Sequence, residues 1–351
     1  MSAVMEPEDR AESIRMIRDS AAGLAPRGGD RKRIRALRFT APGYDPAVLR
    51  QMGEQGWIGL LVPEEAGGAG LGLSEYVALV EELGAALVPE PLVAATVSAR
   101  LLAAAGAPLE EILAGESLVL TAWQEKPGSL SVPGTPGGPR LFLPQAGGAA
   151  SFLVPVAGRG LLRQPAEGAD LTLEPTQDGG AFGTLRPAER GEVLKLDPAL
   201  LEDALDEAAL GTAAYLLGVM DQAFALTLDY LKTRQQFGKP IGSFQALQHR
   251  AADLKIQIAL TRASVEAAAA LADRGAPRPQ RQAAISRAKA RAADAALLVT
   301  RQAVQLHGGI GYTDEADIGL YLRKVMVLAS QFGSAGLHRR RFAAQTPEDE
   351  A

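Results

Sequence analysis

The chain has no cysteine. That absence excludes disulfides, thiolate metal sites and a cysteine nucleophile together. Histidine is nearly as scarce: His249, His307 and His338 are the only three in 351 residues. Their spacing offers neither an i, i+4 metal pair nor a Ser/His/Asp grouping, so all three read as structural and no metal site is expected. An excess of one charge sign is also missing. With 36 basic against 41 acidic residues, no broad positive field exists to recruit nucleic acid or a membrane surface. The one dense basic run, Arg31, Lys32, Arg33 and Arg35, reads as a solvated turn of helix. No apolar run is long and uninterrupted enough for a spanning helix. No secretory or transit signature opens the sequence, so a cytoplasmic location is expected.

What is present is a globular composition, 47% hydrophobic and 22% charged, with enough length for two or three domains. Residues 1–117 read as helices broken by glycine and proline, with candidates over 12–24, 45–57, 74–87, 91–106 and 109–114 and Ser74 as an N-cap. The apolar lining of this part is either core or a wall of a ligand tunnel. Residues 118–197 change character, with short apolar runs at 118–123, 141–144, 151–156 and 171–175 set between Gly/Pro clusters, the pattern of a small β domain. Residues 198–345 carry four alanine-rich helical patterns, over 201–232, 243–274, 280–307 and 315–341, which predict an up-and-down four-helix bundle. Residues 346–351 are a tail. The expected fold is mainly α with a small β domain.

The stretch from Thr233 to His249 connects the first two of these helices. Gly238, Pro240 and Gly242 stop one and start the next, and Ser243 is the expected N-cap. The connection presents Arg234, Phe237, Gly238 and Gln245. A guanidinium, an aromatic face, a bare backbone and an amide suit a nucleotide, while an ordinary loop has a solvated arginine and a phenylalanine plugging the helix ends. A second stretch, Val304 to Glu315, closes the third helix with Gln305, Gly308, Gly309 and Gly311. Glycine commonly caps a helix. Three glycines within four residues exceed that need and point to close backbone approach by a ligand or a neighbouring chain.

An Arg-x-x-Phe-Gly loop between two long helices, followed by Gln-x-x-Gly-Gly-x-Gly-Tyr, resembles the acyl-CoA dehydrogenase family of flavoproteins. The segment from Met52 to Ala94 is similar to that family's opening segment. The resemblance implies that Arg234, Phe237, Gly238, Gln245, Gln305, Gly308 and Gly309 contact FAD, largely the FAD of a neighbouring subunit. It also implies an acyl-CoA thioester as substrate, with a glutamate removing the α-proton while hydride passes to the flavin.

The sequence departs from the family in two places. The run from Arg323 to Ser334 puts Phe332 where the family's glutamate belongs, and phenylalanine takes no proton. A minority of the family carries its base near the start of the first bundle helix, where this chain has Ala208. Glu207 is adjacent, but one residue along a helix turns a side chain by roughly 100°, so a solvated helix charge is its expected role. Asp314, Glu315 and Asp317 follow the glycine turn and suit helix capping. Arg323 matches a family arginine and is expected in an internal ion pair. In the middle domain Gly128 and Ser129 keep their positions, but the family's second flavin-contacting segment has no counterpart. A β domain so reduced is expected not to hold an isoalloxazine ring of its own.

These losses and retentions imply the subunit without a base in a heteromeric, α2β2 acyl-CoA dehydrogenase, paired with a paralogue. The resemblance to short partners of bacterial steroid and aromatic-acid degradation implies bulky acyl-CoAs. Two alternatives are a self-sufficient, homo-oligomeric enzyme of dehydrogenase or flavin monooxygenase type using Glu207 or water, and a helical scaffold that binds no flavin.

Overall fold

Eleven α-helices and nine short strands follow one another in a computed structural model that describes residues 7–131, 137–189 and 191–345. The six-residue tail expected at 346–351 lies outside the described residues. The chain opens with α1 (Pro7–Leu24), α2 (Lys32–Leu37), α3 (Pro46–Glu54), α4 (Leu73–Ala85), α5 (Leu92–Ala104) and α6 (Glu110–Leu113). The strands come next: β1 (Val119–Thr121), β2 (Arg140–Pro144), β3 (Ser151–Val156), β4 (Gly160–Pro165), β5 (Asp170–Pro175), β6 (Ala181–Arg186) and β7 (Glu192–Leu194). The C-terminal part holds α7 (Pro198–Thr233), the two-residue strands β8 (Gln235–Gln236) and β9 (Lys239–Pro240), then α8 (Gln245–Asp273), α9 (Arg278–His307), α10 (Ile318–Leu328) and α11 (Ala335–Gln345). The whole is mostly helical with a small β region and a C-terminal helical bundle.

Two compact units share these elements. One comprises residues 32–76 and 89–209, and the other residues 1–31, 77–88 and 210–351. In the first, Asp45 caps α3 by accepting from Ala47 N at 2.9 Å, with Pro46 as the first helical residue. The strands form two sheets, ordered β1-β3-β4-β7 and β2-β6-β5. β1 pairs parallel to β3, and the other neighbours are antiparallel. Three of the four expected apolar runs lie in strands and the first, 118–123, contains β1; β4, β6 and β7 are additional.

In the second unit the bundle is built on close backbone approach. A Cβ placed on Gly218 of α7 would lie 1.9 Å from the Glu81 carbonyl oxygen, and one on Gly84 of α4 would lie 2.2 Å from the Tyr215 carbonyl oxygen. Glycine is therefore required at both crossings. A short connection at Gly275 (φ 69°) turns α8 into α9 as antiparallel neighbours. Among the described residues α7 is one helix long and apolar enough to cross a bilayer, contrary to the sequence expectation, but most of its apolar stretch is buried within the protein.

Four local expectations are corrected. Ser74 does not cap its helix but lies inside α4, which opens at Leu73. The helix expected at 315–341 is two helices, α10 and α11, separated by a turn in which Phe332 (φ 51°) and Gly333 (φ 104°) are left-handed. Ser243 does not cap α8; its hydroxyl donates to the Pro240 carbonyl at 2.7 Å inside a short 3-10 turn, and Phe244 stands at the cap without a side-chain bond. The basic run is not a solvated face. Arg31 is 5% exposed and donates to the Tyr321 hydroxyl at 2.8 Å, while Arg33 pairs with Glu90 at 2.6 Å.

Candidate functional site

The connection after α7 is a tight hairpin. Gln235 pairs with Pro240 and Gln236 with Lys239, leaving Phe237 (φ 51°) and Gly238 (φ 77°) as the two turn residues. Positive φ at both central positions is the type I′ geometry that fits the twist of paired strands. Gly238 adopts it freely, whereas a phenylalanine there carries a local cost of roughly 1–2 kcal/mol. Phe237 nevertheless stands 89% exposed, with its ring edge-on to Phe244 at 6.0 Å. The Lys239 ammonium sits 4.4 Å above the Phe244 ring. Arg234 is exposed beside this hairpin, tied by its backbone to Tyr230 and Ile241, and its side chain bonds nothing among the described residues. Gln245 opens α8, also exposed.

The end of α9 lies beside the end of α7, because His307 stacks on Tyr230 with centroids 4.5 Å apart. His307 Nδ1 donates to the Ala303 carbonyl at 2.8 Å. Burial lowers its basicity more than that bond restores it, so the ring is a neutral packing element. The hairpin carrying Arg234, Phe237, Gly238 and Gln245 and the glycine turn at Gly308–Tyr312 therefore both follow helix ends that lie side by side at one end of the bundle. Gln305, Gly308 and Gly309 are exposed there, as is Tyr312 at 78%.

The glycines separate by cause. Gly242 and Gly311 are required by packing, since a Cβ would meet the Leu231 carbonyl oxygen at 2.8 Å and that of Val304 at 2.6 Å. Gly238 and Gly308 (φ 66°, ψ −144°) are required by backbone conformation. Gly309 has neither reason: its φ is ordinary and a Cβ there would meet nothing within 4 Å. Bare backbone facing open space is the feature a close-approaching ligand needs. Lys239 and Tyr312 belong to the same surface and were missed in the sequence. Both lie inside the two recognised stretches, and an exposed cation and aromatic beside the motifs were the available signal.

The candidate catalytic positions are closed. Phe332 is 5% exposed, and its carbonyl accepts from His338 Nε2 at 2.8 Å. Glu207 is not a solvated helix charge. Its two carboxylate oxygens accept from Arg100 Nε and Nη2, each at 3.0 Å, while Arg100 Nη1 donates to the Leu61 carbonyl at 3.1 Å. Both carboxylate oxygens are thus taken up by guanidinium hydrogen bonds within the chain. Asp314 pairs with Arg323 at 3.1 Å, giving that arginine the expected ion pair, and Asp317 stands at the N-cap of α10 without a side-chain capping hydrogen bond. Among the described residues no His/Asp/Glu cluster could hold a metal ion.

The segment after β1 is engaged with its own domain. Leu141 N donates to the Gln124 carbonyl at 2.7 Å, and Glu125 forms an ion pair at 2.8 Å with the fully buried Arg140. Ser129 Oγ bonds Ser131 Oγ at 2.6 Å.

Residues 199–346 match the acyl-CoA dehydrogenase C-terminal domain, and residues 11–109 match the acyl-CoA dehydrogenase N-terminal domain. The chain is 33% identical to acyl-CoA dehydrogenase IpdE2 of Mycolicibacterium smegmatis over 341 residues, 95% of this chain and 99% of that one. Among solved structures, a variant of the Tcur3481-Tcur3483 steroid ACAD superposes with a TM-score of 0.85 at 30% identity, covering 96% of this chain and 98% of that one. The ChsE4-ChsE5 complex of Mycobacterium tuberculosis shares the fold, with a TM-score of 0.82 at 22% identity over 99% of this chain and 100% of that one.

Proposed function

This chain belongs to the acyl-CoA dehydrogenase family, and from that premise we propose that it is the subunit without a base in a heteromeric acyl-CoA dehydrogenase, lending contacts to FAD held mainly by a paralogous partner. The observation that carries this reading is a contrast within one chain. The residues suited to a neighbour's cofactor stand exposed and unobstructed at one end of the bundle. The position of the family's base holds a buried phenylalanine.

The donor set fits one part of the cofactor. Arg234 supplies a guanidinium for a diphosphate, Gly308 and Gly309 admit close approach, Gln245 and Gln305 supply amides, and Phe237 offers a ring face. The β domain fits the flavin ring poorly, because Glu125, Arg140 and Ser129 bond within the chain. When bound, FAD supplies the two-electron acceptor for the hydride leaving the β-carbon of an acyl-CoA. This chain's residues bind and orient; the carboxylate that takes the α-proton belongs to the partner. A groove of about 770 Å³ on α8, α9 and α11, lined by Leu260, Leu298 and Phe342, adds a surface suited to subunit contact. The steroid dehydrogenase among the structural relatives supports a bulky, fused-ring acyl-CoA as substrate.

Phe332→Glu tests the division of labour. The purified variant alone is expected to show no acyl-CoA dehydrogenation with an artificial electron acceptor, since a base restored without a flavin site completes nothing. Turnover gained by that single change would contradict the reading.

A further inference from the structure

A fully buried basic side chain of the second unit lies beside the Phe332 turn. Lys289 of α9 is 0% exposed, and its Nζ donates to the carbonyls of Ala329 and Gly333, each at 2.9 Å. Among the described residues these are its only hydrogen-bond acceptors, and no carboxylate pairs with it. His338 of α11, also 0% exposed, joins from the other side. Its Nε2 carries a proton, because it bonds the Phe332 carbonyl, and its Nδ1 therefore accepts from Ser286 Oγ at 3.3 Å. Three carbonyls within five residues are thus held by two side chains. Gly333 is fixed by the same cluster, since a Cβ there would lie 2.5 Å from His338 Nε2.

The donor count at Lys289 is informative. A neutral amine has two N–H hydrogens for two carbonyls, whereas an ammonium carries a third N–H and a full charge into a site without a counter-ion. We propose that Lys289 is a proton-linked latch on the turn at residues 329–334, holding its carbonyls as a neutral amine and stabilising the fold as its proton is released. Burial depresses Lys289 to about 7, with Asp294 on the same helix opposing, and burial takes His338 down to about 4. The surroundings do not reverse this. On α9, Asp294 favours the charged form but already pairs with Arg339 of α11, and Arg287 and Arg291 supply no counter-ion. On α11, Arg341 acts in the same sense as Lys289 on His338. On α10, Arg323 is paired with Asp314 and Lys324 adds no anion. Among the described residues, α8 lines the adjoining groove with Gln257, Leu260, Ala263 and Ser264, none of them charged. The folded form therefore binds fewer protons than the unfolded chain between about pH 7 and the ordinary lysine range, and stability rises with pH across that window.

The test is denaturant unfolding of the full chain and of Lys289→Met from pH 6 to 9. Relative to the variant, the wild-type folding constant is expected to stay level below pH 7 and to rise about ten-fold per pH unit above it, roughly a hundred-fold by pH 9. Amide exchange at 330–334 should quicken in the variant. Parallel curves for the two proteins would overturn the latch. If Lys289→Met does not fold, NMR of 13Cε-labelled lysine in the native chain decides. One lysine titrating near neutrality supports the proposal, and every lysine remaining charged at pH 9 overturns it.

Discussion

Replacing Glu81 by alanine is expected to destabilise the chain by about 1.5–3 kcal/mol at neutral pH, the loss of charge-assisted hydrogen bonds to three half-buried arginines that keep Glu82 and Asp221 as partners. The Glu81 side chain is 3% exposed, and its two oxygens accept from Arg262 at 2.7 and 2.9 Å, Arg18 at 2.7 Å and Arg27 at 3.1 Å. Glu82 accepts from Arg18 and Arg27 as well, and Asp221 of α7 completes the cluster with Arg27 at 3.0 Å. The network therefore ties α1, the segment after it, α4, α7 and α8 together within one unit. Burial would raise the Glu81 carboxyl, but the hydrogen bonds and charges of Arg262 and Arg18 prevail and hold it at about 2. Because the folded value lies below the ordinary carboxylate range, its contribution is complete above about pH 4.5 and is lost as pH falls toward 2. Urea unfolding across pH 2 to 7 checks this. Wild type should lose stability steeply below pH 4.5, and Glu81→Gln should give a lower, flatter curve.

The second large effect concerns binding. Arg234→Ala, in the complex with the paralogous partner, is expected to weaken FAD retention about ten- to a hundred-fold, the worth of one or two charge-assisted hydrogen bonds to a diphosphate. Stability should be unchanged, because the side chain is exposed and bonds nothing among the described residues. Arg234→Lys should recover only part of the affinity, since an ammonium lacks the planar fork. Flavin release during dialysis, followed by absorbance, measures both. Equal retention in wild type and Arg234→Ala would remove this residue from the cofactor site.

The helices were legible because alanine and leucine recur at helical spacing over stretches too long for anything else. Bounds of α7, α8 and α9 differ from expectation by one to a few residues. The break between α10 and α11 was not legible. Its residues suit a helix apart from Gly333, and the turn is set by Lys289, which comes from α9, and by His338 of α11 folding back on it. The misreading of Arg31 has the same origin, for its partner Tyr321 lies 290 positions away. Strand β7 escaped notice because it is three residues long, β4 because Arg163 and Gln164 break its apolar run, and β6 because it carries Gly183, which weakens strand pattern. At the candidate site, the two glycine-bearing stretches announced themselves through residue types that ordinary caps do not need. Their convergence at one bundle end depends on the Tyr230–His307 stack, a tertiary contact. Glu207 looked free in sequence because Arg100, which holds it, lies 107 positions earlier.

Flavin stoichiometry tests the central claim most directly. The chain is purified alone and after co-expression with a longer paralogue that keeps the family's glutamate, and FAD per chain is measured on the gel-filtered protein. The account predicts a colourless protein alone and about one FAD per heteromeric pair together. A full equivalent of FAD on the chain by itself would contradict it and would assign a complete flavin site to this chain.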